Sequence, residues 1–399
     1  MKLRLAFICL FCIFICTACN PTEVESQIFS EWEVEIAKLK DQAVTELPDS
    51  LDVEINDQFS IHAKILIPES KKNNDVAELT VTRHVYTEQE TERNFQKLLE
   101  ISPDTQKYTE QHIEEDMWTD MEDGINRKSY RVEFGMYSIV DADASGLFFA
   151  TDQSARLEDA VITQFDHAGV QFHYAQKQEL DFGTWEDAWE ETLHLLDDMD
   201  VNSVVDMQCY TLNLETLQKE LADSCTQNSD FYFINTGQKA KYTKEDEAYL
   251  FQFQQGYDGI PLCRYQLADT LKKQNLGYGL YADCSAYYSS QGLISLWAGN
   301  LMDVQQAGEL HPIVPLSDIL DKSIPTLSQM ASGETTIEIK EISLCYVPVL
   351  QNATDLEFRA VPVWVIAYFQ SNPFLGEEGT LLTTDQYDVF DAITGERMY

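Results

Sequence analysis

Residues 361–369 read VPVWVIAYF, and this stretch decides the fold class. In a β-strand, which has a period of two, Val361, Val363 and Val365 share one face. Trp364 and Ile366 then share the other face. Because both faces are apolar, the pattern is typical of an interior strand that is covered on both sides. We therefore predict that Trp364 lies in the core of a sheet.

Further strand patterns surround this stretch in the second half of the chain. TTIEIKEISLCYVPVL (335–350) and YDVFDAITGERMY (387–399) flank it, and EAYLFQFQQGYDGIPL (247–262) and GYGLYADCSAYYSSQGLISLWAG (277–299) precede it. The segment PLSDILDKSIPTLSQM (315–330) instead predicts a capped helix that Pro325 splits or kinks.

The first half mixes strands with capped helices. QFSIHAKILIP (58–68) alternates as a half-buried strand that ends at Pro68. Thr87 and Glu90 form a capping-box pattern before one helix, and Thr211 is the predicted cap of a second strand–helix unit. The two units are either an internal repeat or independent uses of the same capping chemistry.

A tryptophan-bearing helix is predicted at GTWEDAWEETLHLLDDM (183–199), with Thr184 as its cap. One apolar stripe on this helix combines Trp185, Trp189, Leu193 and Leu196. Such a stripe is either packed in the core, which is the commoner outcome, or forms a docking face for a partner.

Strands with a few amphipathic helices, without strict β–α–β alternation, indicate an α+β fold with helices packed on antiparallel sheets. At 399 residues, the chain is long enough for two domains. We predict an N-terminal α+β domain at residues 51–240 and a C-terminal α+β domain at residues 241–399. Residues 19–50 are acidic and polar, with an amphipathic piece near 28–39, and predict a partly helical spacer.

The first 18 residues have the layout of a secretory leader. Lys2 and Arg4 precede an apolar run of 14 residues, which is shorter than the roughly 20 residues that span a membrane. CTA (16–18) then precedes Cys19, the arrangement that lipoprotein processing uses to attach diacylglycerol. We predict a lipoprotein signal peptide at residues 1–18 and a lipid anchor on Cys19. Ordinary cleavage that releases a soluble protein is the alternative.

The charge of the chain limits its partners. It carries 68 acidic and 27 basic residues, a formal net charge of −41. This charge opposes binding to nucleic acid and to anionic lipid surfaces. It suits a cationic partner or bound metal ions, or it serves solubility alone.

The cysteines and histidines predict no obvious metal centre. The cysteines that follow Cys19 are odd in number and form no CxxC pair, which leaves open whether any two are bridged: Cys209, Cys225, Cys263, Cys284 and Cys345. His167 and His173 share a face of a predicted strand but lie about 20 Å apart along it. They could share a metal ion only if the chain turns between them.

The best candidate for a metal site is DADASGLFFATD (141–152). Its oxygen-bearing side chains occupy the ligand positions of a calcium loop around a glycine turn: Asp141, Asp143, Ser145 and Asp152. The alternative is a β-hairpin whose Ala-Ser-Gly tip is solvated.

The C-terminal strands resemble PepSY-like domains. AYLFQFQQGYDGIP (248–261), ISLCYVPV (342–349), VPVWVIAYF (361–369) and VFDAITGE (389–396) are similar to the repeated Pro-x-Trp and Asp-Ala-x-x-Gly-Glu pattern of these domains. The whole chain is similar to an uncharacterised family of Gram-positive lipoproteins, and related domains occur in extracytoplasmic regulators of wall-sensing histidine kinases. The motifs are structural, since Thr394-Gly395 suits a tight turn and Pro362 suits a strand start. The resemblance implies an interaction or regulatory module and supplies no catalytic residues.

Enzyme signatures are missing from the sequence after the leader, which contains no HExxH, GxSxG, SxxK, P-loop or GxGxxG. We therefore predict a non-enzymatic protein without a cofactor, anchored through lipid to the outer face of the cell membrane. Its expected role is to bind or regulate another envelope protein or peptide. A secreted carboxylate-dependent hydrolase and an ion- or small-solute-binding lipoprotein are the alternatives.

Overall fold

The computed structural model describes residues 31–40, 42–67, 73–105, 113–119, 126–134, 138–161, 174–225, 241–263, 284–352, 357–372 and 382–398. The helices are α1 (Glu31–Lys38), α2 (Glu88–Ile101), α3 (Asp152–Val161), α4 (Trp185–Asp198), α5 (Leu214–Cys225) and α6 (Leu316–Met330). The strands are β1 (Ser50–Asn56), β2 (Phe59–Leu66), β3 (Asp75–Val76), β4 (Leu79–Arg83), β5 (Glu114–Thr119), β6 (Asn126–Phe134), β7 (Ser138–Ala142), β8 (Gly146–Ala150), β9 (Val204–Leu212), β10 (Ala248–Tyr257), β11 (Ile260–Pro261), β12 (Cys284–Ser289), β13 (Gly292–Gly299), β14 (Met302–Ala307), β15 (His311–Pro312), β16 (Thr336–Asn352), β17 (Glu357–Asn372) and β18 (Leu382–Asp391).

The first sheet is built around the long strands β16 and β17. Its order is β1-β2-β16-β17, and the far side of β17 pairs with β4 near its start and with β18 along the rest. Strand β14 completes the sheet beside β4. The β2–β16 pair is parallel, and the other pairs in this sheet are antiparallel.

Strand β17 is an interior strand, as the VPVWVIAYF pattern predicts. Trp364 is 0% exposed and belongs to the core cluster that includes α6, whereas Val363 and Val365 belong to a separate cluster on the opposite face. Strand β17 lies between β16 and β18, so its backbone is hydrogen-bonded on both sides. Both of its faces are covered as well. The prediction for Trp364 is therefore confirmed.

Pro362 lies inside β17 rather than at its start, so that detail of the prediction is wrong. The pairing of β17 with β4 ends at Ala360, and its pairing with β18 begins at Val363. The carbonyl oxygen of Pro362 accepts a hydrogen bond from the amide of Ala392, on the side of β17 that faces β18. In an antiparallel ladder the N and O of one residue point to the same side, so the missing N–H falls where β17 changes partner.

The second sheet is antiparallel, in the order β9-β10-β12-β13-β8-β7-β6-β5, with β11 beside the end of β10. Helices α2 and α4 pack on one face through residues such as Phe95, Leu98 and Leu196. Helices α3 and α5 pack on part of the other face through Leu157 and Leu217. The molecule thus has an α+β fold with amphipathic helices on its sheets.

Both sheets combine strands from the two halves of the chain. Strands β1, β2 and β4 join β16, β17 and β18 in the first sheet, and β5 to β9 join β10, β12 and β13 in the second. The boundary proposed between residues 240 and 241 therefore does not separate the sheets. Periodicity identifies strands but not their partners, which explains the difference.

The two sheets meet where β11 approaches β16. Leu262 forms a parallel bridge with Tyr346, and the amide of Cys263 donates to the Tyr346 carbonyl oxygen at 2.8 Å. The Tyr346 hydroxyl also donates to the carbonyl oxygen of Ala77 at 3.0 Å. The contacts of Leu262 and Cys263 therefore tie the end of the second sheet to β16, and the hydroxyl bond fixes Tyr346 to the segment before β4.

Part of the predicted spacer is packed into the body. Helix α1 places Ile36 in the core of the first sheet, and Leu39 and Val44 follow it there. The acidic composition of this segment suggested a solvated spacer, because only a few of its residues are apolar and pack against the first sheet. The described part of residues 19–50 is therefore a structural element rather than a free linker.

Two of the four predicted helix caps agree with the structure. Thr87 and Glu90 form the capping box of α2, and the Thr184 side chain accepts from the amide of Asp187 in α4. Thr211 instead lies in β9, where its hydroxyl bonds to Gln178.

Asn213 caps α5 in place of Thr211. Its side-chain oxygen accepts from the amide of Thr216 at 2.9 Å. Helix α6 begins at Leu316 without a side-chain cap and runs through Pro325. The predictions of a cap at Thr211, of a capped α6 and of a split at Pro325 are therefore wrong, and the alternative of a kink at Pro325 stays a prediction.

The tryptophan stripe of α4 packs in the core. The ring of Trp189 lies 5.1 Å from that of Phe251 and 5.5 Å from that of Phe253. Leu193, by contrast, is 36% exposed, and Thr192 is buried in its place. The contacting stripe is thus rotated from the predicted one, because aromatic contacts with β10 set the orientation of the helix.

Candidate functional site

Among the described elements, no helix covers one end of one face of the second sheet. Helices α3 and α5 cover the end near β9 and β10, but the other end presents a polar and aromatic row. In this row Asp141 pairs with Phe148, Phe148 with Trp297, and Trp297 with Ser285. We call this row, together with the groove described next, the open face.

The groove lies at the β5 end of the open face and has a volume of about 470 Å³. The antiparallel register brings Glu114 beside Arg131 and Arg131 beside Asp141. Four carboxylates and two hydroxyls share the groove with one guanidinium: Glu114, Asp116, Asp141, Asp143, Ser129, Ser145 and Arg131.

Arg131 organises the charges of the groove. Its Nη2 and Nε donate to Glu133 Oε1 at 2.6 and 3.1 Å, and its Nη1 donates to Asp141 Oδ2 at 3.4 Å. Burial and then the charge of Asp143 raise the pKa of Asp141, while Arg131 acts to lower it. A single arginine therefore leaves a surplus of negative charge, which a cationic ligand would neutralise.

Asp143 builds the turn between β7 and β8. Its Oδ1 accepts from the Ser145 amide at 2.6 Å, from the Ser145 hydroxyl at 2.6 Å and from the Gly146 amide at 3.0 Å. Ala144 at the tip is buried, and its carbonyl oxygen accepts from the Tyr86 amide at 3.0 Å. The hairpin alternative for this segment is confirmed, but its tip is not solvated as predicted.

The calcium-loop hypothesis fails because its four residues do not converge. Asp141, Asp143 and Ser145 share the groove, whereas Asp152 begins α3. Phe148 is the strand partner of Asp141, β8 ends two residues later at Ala150, and Asp152 lies beyond the end of the strand. The Asp152 amide donates instead to Asp104 Oδ2 at 3.1 Å. Within the described ranges, no group of three or more His, Cys, Asp or Glu residues is placed to hold a metal ion.

An aromatic pair lies next to the groove. The rings of Phe148 and Trp297 meet edge to face with centroids 5.5 Å apart, and Trp297 is 42% exposed. A large aromatic side chain exposed on a sheet, beside charged groups, has the chemistry of protein recognition. The sequence places Trp297 in a strand but gives no sign of which side chains lie beside it.

A histidine–aspartate pair links β4 to β14. His84 Nδ1 lies 3.0 and 3.1 Å from the two carboxylate oxygens of Asp303. His84 Nε2 is buried and has no hydrogen-bond partner among the described residues, and its ring packs edge to face on Tyr86 at 4.6 Å. Because Nε2 is inaccessible, the pair does not present a base to an external substrate.

The described thiols are core residues. Cys209, Cys263, Cys284 and Cys345 carry thiol side chains, and all four are buried. Burial raises the pKa of Cys209 to about 12, so its reactive thiolate is scarce near neutral pH. The sequence-predicted positions Cys19, His167 and His173 lie outside the described residues, as does the side chain of Cys225.

No described helix is both long enough and apolar enough to cross a membrane.

The fold has a counterpart among solved structures. An uncharacterized protein from Eubacterium rectale, whose crystal structure was determined at 1.45 Å resolution, superposes with a TM-score of 0.70. The two proteins share 18% sequence identity, and the match covers 93% of this chain and 99% of the other. No family model matches the chain, and no curated protein matches it. At this identity, the likeness shows the α+β fold alone.

Proposed function

We propose that this chain is a lipid-anchored extracytoplasmic binding or regulatory protein that recognises another envelope protein or peptide through its open face. The observation that carries the proposal is Trp297, which is 42% exposed and packs on Phe148, the strand neighbour of Asp141 in a groove lined by ionisable side chains. Aromatic anchors bordered by polar groups are typical of protein interfaces. The leader pattern before Cys19 supports the location, and the PepSY-like pattern of the C-terminal strands supports a regulatory role.

The lipid anchor is tested by changing Cys19→Ser. The thioether on Cys19 is the proposed attachment, so the variant is expected to move from the membrane fraction to the medium or to remain unprocessed. Cys225→Ser is the matched control, and this variant should fractionate as the wild type does. A processed Cys19→Ser protein that stays in the membrane fraction would show that lipidation is the wrong account.

The binding role is tested by crosslinking the anchored protein in membranes and purifying it. Trp297→Ala is expected to lose the co-purifying partner while the melting temperature stays close to that of the wild type, because the side chain is partly exposed and lies outside the core clusters. Leu310→Ala, which removes another exposed apolar side chain, is the control and should retain the partner. Retention of the same partner by a folded Trp297→Ala variant would contradict the proposal.

A further inference from the structure

The open face has a definite length. It crosses five neighbouring strands, β5-β6-β7-β8-β13, from Glu114 at the far end of the groove to Trp297. At about 4.8 Å between strands, this path is about 19 Å long. An extended chain rises about 3.3 Å per residue, so about six residues would cover it.

The two ends of this path differ in chemistry. From β5 to β7, Glu114, Asp116 and Asp141 line the groove, and Arg131 is already engaged with Glu133. At the β13 end, Trp297 and its neighbour Phe148 present aromatic surface. The face therefore favours a ligand that is cationic at one end and apolar at the other.

The net charge of the chain limits which molecules can bind to the open face. At −41, a second copy of this chain or a nucleic acid would be repelled. A basic segment would be attracted, and its association would be accelerated by the same field.

Resting on the proposed binding function, we infer that the open face binds an extended, basic segment of a partner protein. Two or three Lys or Arg side chains of this segment lie in the groove against Glu114, Asp116 and Asp141. An apolar side chain about six residues after the first of these basic residues packs on Trp297. The segment lies across the strands rather than along them.

The probe is the labelled peptide Lys-Arg-Lys-Ser-Gly-Ser-Leu-Phe, and its binding to the full chain is measured by fluorescence anisotropy at low and high salt. We expect saturable binding that weakens with salt. The triple variant Glu114→Gln, Asp116→Asn, Asp141→Asn should bind on the order of tenfold more weakly, and so should Trp297→Ala.

Two controls separate this site from general charge attraction. The triple variant Glu100→Gln, Glu186→Gln, Glu190→Gln removes as many charges from exposed positions on α2 and α4, which pack on the opposite face of the sheet. It should weaken binding less than about twofold, because exposed charges on that face are largely screened. The reordered peptide Lys-Arg-Lys-Leu-Phe-Ser-Gly-Ser places the apolar residues beside the basic ones and should bind more weakly.

An equal loss in both triple variants would show that net charge alone attracts the peptide and would overturn the inference. Equal binding of the two peptides would contradict the proposed spacing between the basic and the apolar side chains of the segment. The result that would contradict the proposed binding function is different from the result that would contradict the basic segment. If a membrane partner depends on Trp297 but neither peptide binds, the basic segment is wrong and the binding role stands. If partner capture does not depend on Trp297, the binding role itself is wrong.

Discussion

The indole Nε1 of Trp364 donates a 3.0 Å hydrogen bond to the backbone carbonyl oxygen of Val314. The amide of Val314 in turn donates to the carbonyl oxygen of Ala392 at 2.8 Å. One buried side chain thus joins the central strand β17 to the segment that enters α6, while Val314 ties that segment to the end of β18. The first sheet and its helix are held together at this point.

Replacing Trp364→Ala is expected to lower the free energy of unfolding by about 3–5 kcal/mol, because burial is lost and a cavity remains. Urea denaturation measures this change. Trp297→Ala is the matched control, since its side chain is 42% exposed, and should cost far less. A loss below about 1 kcal/mol for Trp364→Ala would mean that this part of the first sheet is packed differently.

The buried carboxyl group of Asp388 should make the free energy of unfolding depend on pH. Its carboxylate is buried between the Ser323 hydroxyl, at 2.6 Å, and Arg397. Burial raises the pKa of Asp388, although Ser323 and Arg397 act in the opposite direction. In the window between the ordinary Asp pKa near 4 and this raised value, the folded chain holds a proton that the unfolded chain has released.

The stabilisation from that proton is present at low pH and is lost as the pH rises through the native pKa. Asp388→Asn cannot titrate. The free energy of unfolding of the wild type minus that of Asp388→Asn should therefore fall as pH rises through this window and then level off. Urea titrations of both proteins at a series of pH values measure this difference in the free energy of unfolding. A difference that grows with pH would show that the Arg397 charge outweighs burial.

Asp143 is expected to contribute more than Asp141 to the free energy of unfolding. Asp143→Ala removes an oxygen that accepts three hydrogen bonds in the β7–β8 turn, and it should cost about 1–2 kcal/mol. Asp141→Ala removes a partly buried charge beside Asp143, and it should cost less. Urea denaturation of the two variants compares them, and a larger loss for Asp141→Ala would contradict this assignment.

Millimolar calcium should leave the thermal midpoint of the wild type almost unchanged, because the four proposed ligands do not converge. Ligand at 100 times its Kd would instead add about 2.7 kcal/mol to stability. Differential scanning calorimetry makes the measurement. A rise of several degrees that disappears in Asp141→Ala would revive the ion-binding alternative.

The buried thiols should resist alkylation in the native state. Iodoacetamide labelling at pH 8, resolved by residue with mass spectrometry, should modify Cys209, Cys263, Cys284 and Cys345 on the order of 100-fold more slowly than in denaturing urea. The same sample in urea is the internal control. If any of the four reacts in buffer as fast as in urea, that part of the core opens readily.

Local patterns in the sequence predicted local structure well. The period of two identified β17 and the burial of Trp364, and the Thr87–Glu90 pattern identified the start of α2. These features depend on residues that are close together in the chain. Thr211 failed as a cap because its hydroxyl bonds to Gln178, which is remote in the sequence.

Features that depend on strand pairing could not be read from the sequence. The boundary near residue 240 fails as a division between sheets because β1, β2 and β4 pair into a sheet with β16, β17 and β18. The open face was missed for the same reason. Arg131, Phe148 and Trp297 come close together only through the register of four strands, so only the calcium-loop pattern hinted at Asp141 and Asp143.

The most direct test of the binding role is photo-crosslinking in intact cells. A photoreactive residue is placed at Ser285, beside Trp297 on the open face, or at Glu190 on α4, which packs on the opposite face of the sheet. We expect one discrete adduct from position 285, lost when Trp297→Ala is added, and no such adduct from position 190. Failure to form an adduct at position 285, or the same adduct from both positions, would contradict the claim that the open face binds a partner.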